Sequence, residues 1–545
     1  MGYSNQHKQQ TMALNDNTPS GPLEPLLQPK VLRRLGEHLG RTDLLAGLRV
    51  CKTWHTAFEP FLWHTLALQN QPCNFTPRQA TPTLLLRNRH HIRRLHEVGS
   101  NSLLKFLAFS TQPPTIQLTN ISVSILSPEI LMITHHCIDT LASFSCRSNR
   151  LRKDHQTQSL WCRQLFSILE MASALTELAI GPLILLDSPN DVFAKVCKNL
   201  KRLELDRVKV ADRDLYDESI AVEAVSFKPF PALETLILIW NDFPPQCQLE
   251  LIRKSPNLKS VTWRRGTQQL AQSWLSGTLA MPIFLTSLDI GHSYINDESI
   301  ARILAMAPNL VTLNARSTPF AAKSGQYLLE NQGPKMVELD VMDCVDLSAG
   351  IVQVMLTSMS KLKKFCAPRV NAADVAFFLK RSLSAGWSPE EIPVQVETDK
   401  SSPAPGSSVV QPRVPTGSWT CLDMEELELT IDGSGGFEDQ DFAEVRSLVF
   451  EQLGRLTRLQ VLVLSEKVQE GDEEKRLLNF TLQCGLSKLS GLKRLTELDI
   501  CSLQVNIGRE EVEWMKKEWP RLIDAKGKLK CKVDIEDKFL RRSFT

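Results

Sequence analysis

Between Leu285 and Pro368 the apolar residues return in one phrase every 25 or 26 positions. The phrases are Leu285-Thr-Ser-Leu288-Asp-Ile290, Leu310-Val-Thr-Leu313-Asn-Ala315, Met336-Val-Glu-Leu339-Asp-Val341 and Leu362-Lys-Lys-Phe365-Cys-Ala367. Positions 4 and 6 alternate as the inward face of a strand must, and position 1 enters from the preceding turn. After Ile290, Asn296-Asp297-Glu298 is a helix-start signal, and Ile300, Ile303, Leu304 and Ala307 then fall on one helical face. Pro308-Asn309 ends that helix and reopens the strand; the same hinge recurs as Ser255-Pro256-Asn257-Leu258, and more loosely before Leu200 and Leu362. One strand and one helix per period predict an array in which no unit can bury its apolar face alone, so that stability comes from stacking on neighbours.

A period of this length with that phrase is the strand unit of a leucine-rich repeat. The predicted fold class is α/β, an irregular solenoid with parallel strands on its concave side and helices on its convex side. Further clean units open at Leu175, Leu200, Leu233 and Leu258, and after a break at Met424, Leu459 and Leu495, the last three about 35 residues apart. Between Gln69 and Ser173 the pattern is degenerate, with weak units around Ile92 and Leu95, Ile116 and Leu118, and Leu141 and Phe144. Residues 384–417 are rich in Pro, Ser, Gly and Val and read as a flexible insertion, and Gly433 to Asp441 as a second polar loop. A helix from Glu510 to Trp519, followed by Pro520-Arg521-Leu522, is expected to close the array, which then spans 69–535 with a tail at 536–545. Asn241 and Cys344, three residues past position 6, are expected to satisfy backbone groups inside their turns.

The N-terminal 22 residues hold almost no apolar side chains and read as a disordered tail. Val31, Leu35 and Leu39 then fall at helical spacing before Gly40, Thr42-Asp43 restarts a helix carrying Leu44, Leu45 and Leu48, and Trp54, Phe58 and Leu62 make a third face in which Pro60 predicts a break or a new helix start. In order and spacing, Leu27-Gln-Pro-Lys-Val31-Leu32, Leu39, Asp43-Leu44-Leu45, Val50-Cys51-Lys52-Thr53-Trp54 and Phe61-Leu62-Trp63 resemble the F-box pattern over residues 23–68. The opening differs: where that family has Leu-Pro-x-Glu, this chain has Leu27-Gln28-Pro29-Lys30. The resemblance implies docking on a Skp-type adaptor of a cullin ubiquitin ligase, with Val31, Leu35, Leu44, Leu45, Val50, Trp54 and Leu62 supplying the helical core and the adaptor face. One F-box ahead of long irregular repeats is similar to the expanded F-box families of fungi. A bland alternative for the same residues is a small helical cap over the first repeat.

Composition adds bounds. Sixty-three basic against 61 acidic residues leave a net charge of +2, no global push toward nucleic acid or anionic membranes. No signal-peptide pattern and no apolar run long enough to span a bilayer are present, and the 13 cysteines form no CxxC pair, so a cytoplasmic or nuclear protein with reduced thiols is expected. No phosphate-binding, nucleophile-elbow or HExxH motif occurs, no cofactor is implied, and His135-His136-Cys137 with Cys146 matches no common zinc spacing.

The informative positions are those facing away from the core. Position 5 of the eleven clean units is Ala179, Glu204, Ile237, Thr262, Asp289, Asn314, Asp340, Cys366, Glu428, Val463 and Asp499, with five acids and no base. Glu338 and other acids add to them at position 3. Two readings are open: Glu204, Asp289, Glu338, Asp340, Glu428 and Asp499 form a concave face for a basic segment of a target protein, or they keep a water-facing sheet soluble. The expected function is a non-catalytic substrate receptor of a ubiquitin ligase. The competing expectation is a repeat scaffold outside any ligase, including a GTPase-activator-like protein for which Arg316, just past its strand, is the candidate arginine.

Overall fold

Every clean phrase found in the sequence sits on a strand, and its position-4 residue pairs with position 4 of the next. The computed structural model describes residues 28–69, 85, 87–98, 102–109, 117–147, 155–181, 184–185, 192–210, 229–240, 245–268, 271–272, 275, 284–376, 418–433, 439–467, 478–500, 503 and 507–526. The expected tails at 1–22 and 536–545 and the insertion at 384–417 lie outside them. Two compact units are distinguished, one made of Met1–Arg152 and Ser167–Leu175, the other of Lys153–Phe166 and Thr176–Thr545.

In the first unit, α1 (Pro29–His38), α2 (Arg41–Gly47) and α3 (Lys52–His64) enclose a small core of Leu32, Leu44 and Phe58, with Leu39, Leu48, Trp54, Ala57 and Phe61 packed against it. The face of α1 that packs is Leu32 and Gly36, not the expected Val31 and Leu35, which are 41% and 38% exposed. Gly36 is the reason: a Cβ there would stand 2.5 Å from the Phe61 ring, so only glycine lets α3 approach. Pro60 does not break α3, which runs unbroken to His64. The lost N–H is outweighed by Phe58 in the core and by Phe61 against α1. Four parallel strands follow in order, β1 (Thr65–Gln69), β2 (Arg94–Val98), β3 (Asn120–Val123) and β4 (Ser143–Cys146). Of the weak unit expected around Ile116 and Leu118, Ile116 lies outside the described residues, and Leu118 is buried with Ile121 and Val123.

The second unit carries twelve parallel strands. They are β5 (Glu177–Ile180), β6 (Arg202–Asp206), β7 (Thr235–Ile239), β8 (Ser260–Arg264), β9 (Ser287–Asp289), β10 (Thr312–Asn314), β11 (Glu338–Asp340), β12 (Lys364–Asn371), β13 (Glu426–Asp432), β14 (Val461–Lys467), β15 (Glu497–Asp499) and β16 (Asp524–Lys526). Their register is constant: Leu178, Leu203, Leu236, Val261, Leu288, Leu313, Leu339, Phe365, Leu427, Leu462, Leu498 and Ala525 form one ladder. A one-residue slip would turn every one of these side chains to the other face, so burial fixes the register. Positions 1, 4 and 6 of the clean units are at most 2% exposed, and at about 2 kcal/mol per buried side chain they are the main source of stability. A second ladder runs through the turns before the strands, where the position-2 carbonyl of one unit accepts N–H groups from positions 2 and 3 of the next, as Thr286 accepts from Val311 and Thr312 at 2.8 and 3.0 Å. The last strand, β16, comes from the segment expected to be a plain cap: Leu522 and Ala525 make a twelfth unit.

Helices join the strands, among them α4 (Asp297–Met306), α5 (Ala322–Asn331) and α6 (Ala349–Ser358). Asn296 caps α4, accepting from the Ser299 N–H at 2.9 Å. Its neighbour Asp297 reaches across and accepts from the N–H groups of Ala321, Lys323 and Ser324 at 2.9, 2.9 and 3.1 Å and from the Ser324 hydroxyl, so the first turn of one repeat caps the helix of the next.

Candidate protein-binding surfaces

Two surfaces are candidates, one in each unit. On the helical unit the structure separates residues that sequence could not. Leu44 is buried in the core and Trp54 lies half-buried edge-on to Phe58, with ring centroids 5.3 Å apart. Leu45 and Leu62 are half-buried. Val31, Leu35 and Val50 are exposed, Val50 at 61%. The small core is thus complete without three large apolar side chains that remain in water.

On the repeat unit the position-5 residues do form a single row, register-paired from Ala179 to Lys526. Their chemistry differs from the expectation of a surface open to a basic segment, because bases of the chain itself reach all five acids. Glu204 pairs with Arg202 at 3.1 Å, Asp289 with Arg264 at 2.8 Å and Asp499 with Lys526 at 3.8 Å. Arg316 spans three carboxylates, Glu428 at 3.0 Å, Asp343 at 3.5 Å and Asp340 at 3.6 Å. Glu338 is exposed at position 3, register-paired with Lys364.

Burial works against the charge of Arg316, and Asp340, Glu428 and Asp343 overcome it, so that its pKa is raised. An arginine held by three carboxylates is not poised for a phosphate, which removes the observation behind a GTPase-activator role. Burial pushes the Asp340 carboxyl above the usual aspartate range, against the Met342 N–H and Arg316, which pull it down. The thiol of Cys366, next in the row, is pushed up to about 12 by burial and by Asp340 and Glu428.

Several position-5 side chains also hold the turn that follows. Asp289, Asn314 and Asp340 each accept, through Oδ1, the N–H two residues on, from Gly291, Arg316 and Met342 at 3.0, 3.0 and 3.1 Å. These are Asx turns, for which a short carboxylate or amide is the required side chain. Three residues past position 6, Cys344 donates its thiol to the Ala315 carbonyl at 3.1 Å, as expected of a residue inside the turn. Ser293 and Thr318 do the same work in their own units, donating to Trp263 and Ala315 at 3.0 and 2.6 Å, and sequence reasoning passed over them because it looked for Asn or Cys. Asn241 lies outside the described residues.

His135 and His136 are exposed at a helix end while Cys137 and Cys146 are buried, and among the described residues no group of His, Cys, Asp and Glu could hold a metal ion. No described helix is long and apolar enough to cross a membrane.

Together the register, the burial of positions 1, 4 and 6 and the turn ladder define an α/β repeat fold of leucine-rich-repeat type. No family model matches the chain and no curated protein matches it. Among solved structures, an internalin (inlF) from Listeria monocytogenes str. 4b F2365 is similar at 10% identity, over 86% of this chain and 92% of that one, with a TM-score of 0.30. So low a score carries no argument, and the repeat assignment rests on the register.

Proposed function

We propose that the chain is a non-catalytic substrate receptor of a cullin-type ubiquitin ligase, in which the helices at 29–64 dock on a Skp-type adaptor and the repeats hold a target protein. The observation that carries the reading is the exposed apolar trio Val31, Leu35 and Val50 on a helical unit whose own core is already complete. A plain cap has no use for such side chains, whereas each, 38–61% exposed, contributes about 1 kcal/mol when a partner covers it. The order of residues resembling an F-box supplies the kind of partner. The target is held for modification by a partnered conjugating enzyme, so the chain acts by raising effective concentration.

Co-purification with a Skp-type adaptor tests this, using the full chain and a Val31→Asp, Leu35→Asp, Val50→Asp variant. Because these three side chains are exposed, the variant is expected to fold with an unchanged thermal midpoint and to lose the adaptor. If the folded parent captures no adaptor, the helices are a cap and the protein is a free-standing repeat scaffold.

A further inference from the structure

Six successive turns of the second unit place a residue other than glycine in the left-handed region, always two residues past position 6: Arg207, Trp240, Arg265, His292, Ser317 and Asp343, with φ from 53° to 60°. Each costs about 1 kcal/mol relative to glycine. In four of the six a turn ladder accompanies the conformation, the N–H donating to the position-7 carbonyl of the next repeat: Arg207 to Ile239 at 2.7 Å, Trp240 to Arg264 at 3.4 Å, His292 to Arg316 at 2.7 Å and Ser317 to Met342 at 2.8 Å. Glycine would serve that ladder equally and without strain. What glycine would remove is the side chain.

Three of the six side chains are engaged within the chain: Arg207 with Asp206, Asp343 with Arg316, and Ser317 with Asp343. The other three occupy consecutive turns and are exposed, Trp240 at 46%. The Arg265 guanidinium lies over the Trp240 ring. Among the described residues no carboxylate pairs with Arg265, whereas the adjacent Arg264 is held by Asp289. Tyr294, 73% exposed, follows His292 on the same loop, fixed by its N–H on the Gly266 carbonyl at 3.0 Å. A stacked guanidinium keeps its N–H edge free for a planar, bidentate acceptor. With strands about 4.8 Å apart, three turns span about 10 Å, the length of about three extended residues.

We propose that Trp240, Arg265 and His292, with Tyr294 beside them, dock an extended acidic segment of a partner protein, one aspartate or glutamate carboxylate lying on Arg265 and apolar neighbours on Trp240 and Tyr294. One guanidinium without a carboxylate partner among the described residues matches a carboxylate, whereas a phosphorylated side chain carrying about two charges calls for a second cation beside it. The proposal deepens the target-binding half of the reading above and needs nothing from its adaptor half.

The test is selection of random short peptides displayed on phage against the full chain and against a Trp240→Gly, Arg265→Gly, His292→Gly variant, followed by fluorescence anisotropy on the leading peptide. Parent-selected peptides are expected to share an acidic residue beside an aromatic or aliphatic one, and to be absent from the variant selection. Arg265→Gly, or Gln in place of the peptide's acid, is expected to weaken binding about tenfold or more, with Ser317→Gly leaving it unchanged. The glycine variants should melt no lower than the parent, since each relieves a left-handed residue. No acidic enrichment, enrichment of basic peptides, tighter binding of a phosphoserine peptide, or indifference to Arg265→Gly would overturn the proposal. Loss of the adaptor interaction alone would leave it standing.

Discussion

Replacing Arg316 by Met keeps the volume and removes the charge shared by Asp340, Asp343 and Glu428. Exposed ion pairs contribute about 0–1 kcal/mol, and breaking a buried one costs about 3–5 kcal/mol. The Arg316 side chain is 34% exposed, which places the loss between these, at about 2 kcal/mol near neutral pH after discounting for solvent screening. The pH dependence is more diagnostic than the size. Asp340 already sits above its ordinary range through burial, and Arg316 is one of the groups pulling it down, so the variant raises it further. A carboxyl whose folded pKa exceeds its unfolded one binds protons more readily in the native state, so stability falls as pH rises from about 3.9 through the folded value and returns on acidification. The deficit of Arg316→Met relative to parent is therefore expected to be largest near pH 7 and to shrink toward pH 5. Urea midpoints by circular dichroism at the two pH values measure it, and Arg316→Met with Glu428→Gln should recover part of the loss. A deficit below about 0.5 kcal/mol at pH 7, or one equal at both pH values, would refute the assignment of Arg316 as the neutraliser of this cluster.

Asp297→Ala removes the acceptor of three backbone N–H groups at the start of α5 and is expected to cost about 2 kcal/mol, with faster hydrogen exchange at Lys323 and Ser324 as the local readout. Gly454→Ala would put a Cβ 2.2 Å from the Lys488 carbonyl oxygen, a backbone atom that cannot swing aside, so a loss of about 3 kcal/mol in a urea melt is expected. Burial holds the thiols of Cys137 and Cys162 up at about 11 and 12, while Cys51 is exposed. Iodoacetamide at mildly alkaline pH, read by peptide mass spectrometry, is therefore expected to label Cys51 in the native chain and the other two only after denaturation.

The array was legible because positions 1, 4 and 6 are buried in unit after unit, and burial writes itself into residue type. Legibility failed where contact depends on a small residue or on backbone angle. Gly36 read as neutral in a helix whose apolar spacing favoured Val31 and Leu35, yet the absent side chain is what α3 packs on. Pro60 read as a break because local propensity cannot see Phe58 and Phe61 holding the helix together. Strand β16 offers only Ala525 at position 4, too weak a signal for a strand but enough to pair with Leu498. The left-handed turns have no residue type in common, being Arg, Trp, Arg, His, Ser and Asp, so their shared backbone conformation leaves no mark in residue type. The acids at position 5 were visible, but their partners were not: Arg316 meets Glu428 across 112 residues of sequence.

At position 5, Asp289, Asn314 and Asp340 are short side chains at the strand exit, and their Oδ1 atoms are committed to the following turns. Bases at position 7, Arg264 and Arg316, then cancel the charge those turns require. Asp289 and Asp340 are consequently spent on building the loops, and Glu204, Glu428 and Asp499 are each met by a base of the chain itself, so the sign of the row says little about a partner. The next position along has no such duty, since its backbone alone serves the ladder, and it carries the exposed Trp240, Arg265 and His292. The two rows should separate under mutation. Asp289→Ala, which frees Arg264 and the Gly291 N–H, is expected to lower the melting midpoint by the equivalent of about 1–2 kcal/mol. His292→Gly, on the same turn, should leave the midpoint level or higher while weakening binding of an acidic peptide. Equal losses of stability from both would place position 8 in the scaffold and return recognition to the face of the strands.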